Sequence, residues 1–398
     1  MRCDSSRPVH VLLVDHTGHV SGAEYSLHSL TAGLRDAGVR CTLACPRGAN
    51  QVLARTSGSE PLTIAATEGS LRLHPVRTPN AAAEIGFAAT QVARLARRLD
   101  VDILHANSIR ASIVVGLAAR LSRRPAVGHL RDRLPPGAAS NASLRLIGAT
   151  CEHVIGNSRF TLDALREAGV TARSSVVYNP IDLQLFSPSS DRERADARAG
   201  LGLDPDAFAL GVVGQITPWK GQDTALCALE QLAERHPGMR LLVVGEAKFL
   251  SESTRFDNGA YLKRLHELAR SERLAGRVDF LGERSDVPLI MSAIDALLVP
   301  SHDEPFGRVV VEAMAAGTPV VASDAAGPAE IVEHGVTGLL APADDLGAWV
   351  AAIELLVSDE PVRRHLVQGG RARSADFSIA AHADQVLAIY RELLASPT

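Results

Sequence analysis

Short apolar runs alternate along this chain with longer segments of helical period, and that alternation limits the fold more than any other feature. "VHVLLVD" (9–15), "CTLAC" (41–45), "DILHAN" (102–107), "AVGHL" (126–130), "HVIGN" (153–157) and "SVVYN" (175–179) each read as a strand. Near-continuous apolar strands with helices between them predict a parallel sheet covered on both faces. Over 186–206 the pattern breaks into "FSPSSDRERADARAGLGLDPD", polar and dotted with Pro and Gly, which reads as a connection with a short helix. The alternation then restarts with "FALGVVGQI" (208–216), a helix over about 221–235, "LLVVG" (241–245), "VDFLG" (278–282), "ALLVPS" (296–301) and "PVVAS" (319–323). The expected class is α/β, with two Rossmann-like doubly wound domains at 1–185 and 186–378. A last helix, about 379–395 in a tail running to 398, carries Val386, Leu387, Ile389, Tyr390, Leu393 and Leu394, a face able to pack back on the first domain. At roughly 100–200 residues per domain, a length of 398 agrees with two.

Bulk properties exclude several function classes. Hydrophobic residues make up 46% and charged residues 22%, as in globular chains with substantial cores. A formal net charge of −4 argues against a general nucleic-acid binder. The five cysteines are scattered without a CxxC pair, which suits idle thiols in a reducing compartment rather than a disulfide framework or a metal site. The opening apolar run is too short for an export signal, and no stretch is long enough to span a membrane. These readings place the chain in the cytoplasm, where the sequon at Asn141 has no use.

Two open parallel sheets imply a central cleft, with ligands beyond the carboxyl ends of the strands. Three loops there carry chemistry. "DHTGHVSGAE" (15–24) follows the first strand, and a helix starting near Gly22 would offer N–H groups and a positive dipole end to a phosphate. The alternative is a flexible loop with Ser21 as a helix cap. "GQITPWKGQD" (214–223) holds the same place in the second unit. There Lys220 sits at an expected helix start, where a lysine opposes the dipole; a bound diphosphate, touching Gly214 as well, would resolve the conflict. Gln215 could add an uncharged hydrogen bond, and the alternative for Lys220 is a solvated surface position. In "HDEPFGRVVVEAMAAG", Glu304 lies in a loop, the helix is expected to start near Phe306–Gly307, and Glu312 follows eight positions after Glu304. Too far apart for one proton or metal, the two carboxylates can grip two diols of an extended ligand, with N–H groups at Phe306 and Gly307 adding donors. The alternative makes Glu304 a cap and turns Glu312 to solvent, but the apolar flanks of Glu312 argue for burial.

"EPFGRVVVEAMAAG" resembles the E-x7-E segment of glycosyltransferase family 4, retaining enzymes of the GT-B fold. "VVGQITPWKGQDTAL", "VDFLGERSDVPLIMSAIDALLVPS" and "GTPVVASDAAGPAEIVEHGVTGLL" extend the resemblance, and "SGAE", "HANS", "HLRD", "VIGNSRFTLDAL" and "VVYNPID" carry it into the first half. The resemblance implies transfer of a sugar from a nucleotide-sugar, most often a UDP-sugar, as co-substrate with no essential metal or further cofactor. Carried over by position, Glu304 would hold the donor sugar hydroxyls, Glu312 the ribose and Lys220 the diphosphate. Gly22 would meet phosphate, the backbone around Glu283, Arg284 and Ser285 would lie by the base, and His129 would face the donor sugar. Three positions depart from the pattern: Gln215 replaces a common arginine, Ser21-Gly22 replaces two glycines, and "AAGPAE" (325–330) keeps one glycine, Gly327.

No nucleophile stands out in the loops, and the resemblance implies a front-face route, in which the leaving diphosphate takes the acceptor proton and the protein stabilises charge. His129, Lys220 and Glu304 are the catalytic candidates; Asn107, Arg131 and Asp132 lie on the acceptor side. Another GT-B enzyme, such as a nucleotide-sugar epimerase or a sugar phosphorylase, and a non-catalytic nucleotide-sugar binding protein are the alternatives. The acceptor, a saccharide, lipid-linked sugar or small natural product with a free hydroxyl, would meet loops 16–24, 70–82 and 131–145, which carry no readable code. "RDRLPPG" (131–137) and the helix at 80–99 are basic, giving either a solvated face or a peripheral contact with anionic lipid at the inner face of the membrane.

Overall fold

A computed structural model of the chain describes residues 7–67, 77–248 and 256–395, the side chains of 77–79 excepted. Part of the expected acceptor loop 70–82 lies outside them. The chain parts into two compact units, Met1–Ile181 with Ser378–Thr398, and Asp182–Phe377. The divisions fall at 181/182 and 377/378 rather than at 185/186 and 378/379. Ile181 bridges to Ser378 in parallel, so the points where the chain leaves and re-enters the first unit adjoin.

The first unit holds seven strands: β1 (His10–Val14), β2 (Arg40–Cys45), β3 (Leu62–Thr63), β4 (Ile103–Ala106), β5 (Ala126–Leu130), β6 (His153–Gly156) and β7 (Ser174–Val176). They run parallel in the order β3-β2-β1-β4-β5-β6-β7. Side chains alternate across each strand, so Val11 and Leu13 face one core while Leu12 and Val14 face another. The first core takes Leu27, Leu30 and Leu34 from the helix Gly22–Asp36, and Val386, Ile389 and Tyr390 from the helix Ile379–Ala395. Each such fully buried side chain contributes roughly 1.5–3 kcal/mol. The two helices pack so closely that a Cβ added to Gly33 would stand 2.7 Å from the Ala383 methyl, so only glycine fits there. The last helix thus packs back on the first unit, as its apolar face predicts.

Six strands form the second sheet: β8 (Phe208–Val213), β9 (Met239–Val244), β10 (Val278–Gly282), β11 (Ala296–Val299), β12 (Val320–Ser323) and β13 (Leu339–Ala341), in the order β10-β9-β8-β11-β12-β13. All neighbours are parallel. The edge strands β3 and β13 escape the sequence reading because two or three residues carry no periodicity. The strand read at "SVVYN" (175–179) forms instead at Ser174–Val176. The helix read into the polar connection, Asp191–Gly200, is docked on the second unit: Arg194 donates to Asp295 Oδ1 at 2.6 Å, and the buried Arg198 donates to Ala293 O at 2.8 Å. Among the described residues no helix is long and apolar enough to cross a membrane.

Candidate active site

In each sheet the strand order reverses once, between β8 and β11 in the second and between β1 and β4 in the first. Successive connections leave such a point in opposite directions, so the loops beyond those strands part and open a crevice. Every catalytic candidate but His129 falls in one of these loops.

Beyond β8, Gly214 takes φ +147°, and a Cβ there would lie 3.8 Å from the Lys220 Nζ. Lys220 is not at an α-helix start. It ends the 3-10 turn Pro218–Lys220, and Gly221, at φ +67°, separates it from the helix Gln222–Leu232. A Cβ on Gly221 would collide with Pro300 O at 2.1 Å, which locks this loop against the one beyond β11. From that second loop, Glu304 meets the Lys220 ammonium in a direct ion pair. The expected clash of Lys220 with a helix dipole is therefore absent: the ammonium has a carboxylate, and its Nζ also stands 4.5 Å from the Trp219 ring centroid. Ser301 Oγ donates to Glu304 Oε2 at 3.4 Å, and Gly327 N donates to Glu304 O at 2.9 Å. Gly214, Lys220, Glu304, Gly307 and Gly327 thus come together.

The helix beyond Glu304 starts at Arg308, with Gly307 as its N-cap at φ +95°. Phe306 is buried against Phe377, ring centroids 5.9 Å apart. Neither carboxylate follows the alternative reading: Glu304 is 8% and Glu312 7% exposed, and Gly307, not Glu304, holds the cap position. Burial pushes the Glu312 carboxyl above its usual range, and Arg308, donating at 3.2 Å, opposes the shift. Three other candidates have contacts of their own. Glu283 pairs with Lys248, Arg284 with Asp286 at 2.6 Å, and the Gln215 carbonyl accepts from Gln222 Nε2 at 2.9 Å.

Beyond β1 and β4 in the first unit lies a buried polar network that sequence reasoning mostly missed. Asp15 is fully buried. Asn107 Nδ2 donates to its carboxylate at 2.8 Å and the His16 N–H at 2.7 Å. Burial raises the Asp15 pKa, but His16, Asn107 and the Thr17 N–H outweigh it and hold it below the usual value. Arg131 donates to Asn107 Oδ1 at 2.7 Å and to Asn179 Oδ1 at 2.5 Å, while Asp132 accepts from the Arg133 N–H at 2.7 Å. A signal was present: Asp15, Asn107, Arg131 and Asn157 each stand directly after an apolar strand. At the start of the helix Gly22–Asp36, Ser21 is the cap, and Glu24 accepts from the Ser21 N–H at 2.7 Å. Burial and then the Asp15 charge raise the Glu24 pKa.

His129 lies within its strand. It is the fourth of five residues of β5, fully buried on the face covered by the helix Ile379–Ala395. Burial, then Arg131, hold its pKa well below the ordinary value. Its Nδ1 faces His105 Nε2 at 3.2 Å, and its Nε2 has no partner among the described residues. Among those residues, no group of three or more His, Cys, Asp or Glu is placed to hold a metal ion.

Residues 193–373 match the family model described as "Glycosyl transferases group 1", and residues 20–185 match "Glycosyltransferase Family 4". The chain belongs to glycosyltransferase family 4. This family 4 chain is 35% identical over 261 residues to the D-inositol 3-phosphate glycosyltransferase of Segniliparus rotundus, 63% of this chain and 55% of that one. It thus spans little more than half the length of such relatives. Its structure is similar to Anabaena Alr3699/HepE in complex with UDP, at 30% identity and a TM-score of 0.83, covering 96% of this chain and all of that one. HepE has also been solved in complex with UDP-glucose. Sucrose-phosphate synthase from Thermosynechococcus elongatus, at 24% identity and a TM-score of 0.77 over 98% of this chain and 100% of that one, shares the fold. The α/β architecture is the GT-B class expected from the sequence.

Proposed function

We propose that the chain is a retaining glycosyltransferase that moves a sugar from a nucleotide-sugar, most simply a UDP-sugar, to a hydroxyl acceptor without an essential metal. The Lys220–Glu304 ion pair at the switch point of the second sheet carries this reading. A cation and an anion that satisfy each other in the free protein suit a ligand bearing both complements. A diphosphate replaces Glu304 as the partner of Lys220, and the released carboxylate accepts hydrogen bonds from the sugar hydroxyls. Glu312 would take the ribose diol. The family match and the likeness to HepE, solved with UDP and with UDP-glucose, support the donor class.

Catalysis on this reading is charge stabilisation and positioning. As the glycosidic bond breaks, negative charge grows on the diphosphate beside Lys220. The leaving oxygen takes the acceptor proton on the same face, so the configuration is retained. The test is a mass-spectrometric screen of nucleotide-sugars against pooled hydroxyl acceptors. A D-inositol phosphate belongs in the pool because relatives are named for that acceptor. One donor should disappear as an acceptor gains the mass of its sugar, and NMR should show the anomeric configuration kept. Isomerised donor without an acceptor product would favour an epimerase instead.

A further inference from the structure

The hydrogen-bond chain behind His129 is a buried titratable cluster of the first unit that the mechanism above leaves without a task. His105 on β4 and His129 on β5 are side by side, because β4 and β5 pair in parallel with His105 opposite Val127, and residues two apart share a face. The helix Ile379–Ala395 covers that face and brings Tyr390 to it. Tyr390, His105 and His129 are each 0% exposed. The Tyr390 hydroxyl lies 2.5 Å from His105 Nδ1, and His105 Nε2 lies 3.2 Å from His129 Nδ1.

One arrangement of protons makes both hydrogen bonds of this series without stranding the tyrosine hydrogen, and leaves only His129 Nε2 without a partner among the described residues. His105 Nδ1 is the only partner of the Tyr390 hydroxyl among the described residues, so the hydroxyl must donate to it or leave its own hydrogen stranded. With Nδ1 accepting, a neutral His105 carries its hydrogen on Nε2 and donates to His129 Nδ1. A neutral His129 then carries its hydrogen on Nε2, the atom without a partner among the described residues. Both imidazoles are neutral because burial and the nearby Arg131 guanidinium depress them, His105 to about 3. His382, its ring stacked with that of His129 at 6.2 Å between centroids, donates its Nδ1–H to Tyr178 O at 2.7 Å.

We propose that Tyr390 and His105 are positioning residues that lock His129 in the Nε2–H tautomer, making it a hydrogen-bond donor to a substrate oxygen rather than a base. This rests on the glycosyl-transfer reading for the identity of that oxygen, and not for the tautomer itself. It has a consequence for the reaction. An Nε2 that already holds its hydrogen cannot take one from the acceptor, so the acceptor proton passes to the leaving diphosphate. The second ring nitrogen sets which nitrogen is protonated, and here a tyrosine on the chain's last helix sets it two imidazoles away.

Long-range 1H–15N NMR of the full-length, 15N-histidine-labelled protein without ligand reads the tautomers directly, with His105→Gln and His129→Gln used to assign the two rings. Both rings should be neutral and protonated at Nε2. In Tyr390→Phe, which loses only the hydroxyl, His105 should populate both tautomers and His129 should follow. With a nucleotide-sugar that the wild type consumes, Tyr390→Phe should lower kcat about tenfold and leave the donor KM within a factor of about two. A wild-type His129 protonated at Nδ1, or a Tyr390→Phe spectrum with unchanged tautomers, would overturn the proposal. The wild-type spectrum decides it alone if the variant does not fold. The expected spectrum from a protein that consumes no nucleotide-sugar would support the relay and sink the transfer reading.

Discussion

Glu312 stands where its burial harms the fold and its charge serves the ligand. Desolvation raises its pKa above the unfolded value of 4.5. The folded state therefore binds more protons than the unfolded state between those two values, and stability falls as pH rises through that window. Glu312→Gln removes the cost. The variant should unfold at higher urea than the wild type at pH 8, with the difference vanishing near pH 4.5, and donor affinity should drop at both. An equal urea midpoint at pH 8 would show that Arg308 already compensates the charge. Glu304 separates polarity from charge in a second way. Glu304→Gln keeps an acceptor for a sugar hydroxyl and Glu304→Ala keeps none, so turnover should fall further in the alanine variant. Wild-type turnover in both would remove Glu304 from the site.

Among the elements, the helix Ile379–Ala395 is the clearest case of sequence dictating structure. Its apolar positions recur at helical spacing, and Val386, Ile389, Tyr390 and Leu393 all lie buried against the first sheet and its helices. Val386→Ala should therefore cost about 2 kcal/mol, read as a lower urea midpoint. A cost near zero would mean that the helix is not held on the unit. The interior strands were legible for the same reason: both faces are covered, so the runs are apolar throughout. Two edge strands were too short to show a period, and the turn holding Lys220 was misread because Pro218 allows a 3-10 turn as readily as an α-helical first turn. Tertiary partners decided the rest. No spacing in the sequence says that Tyr390 will meet His105, 285 positions away.

Across the whole molecule, one architecture is used twice. Each unit is a parallel sheet with a reversal of strand order, and each reversal gathers polar side chains from loops that follow apolar strands. The second unit's site was legible because its chemistry lies in contiguous motifs, the loops that contain Lys220 and Glu304. The first unit's network was not, because Asp15, Asn107, Arg131 and Asn179 come from four segments and meet only through the fold. The Lys220–Glu304 pair is the point on which the account turns. Its most direct test is the initial rate of nucleoside-diphosphate release from the nucleotide-sugar the wild type prefers, compared with Lys220→Ala. A loss of the ammonium should slow release at least about tenfold, or about 1.4 kcal/mol of barrier, at saturating donor. Release at the wild-type rate would contradict the account.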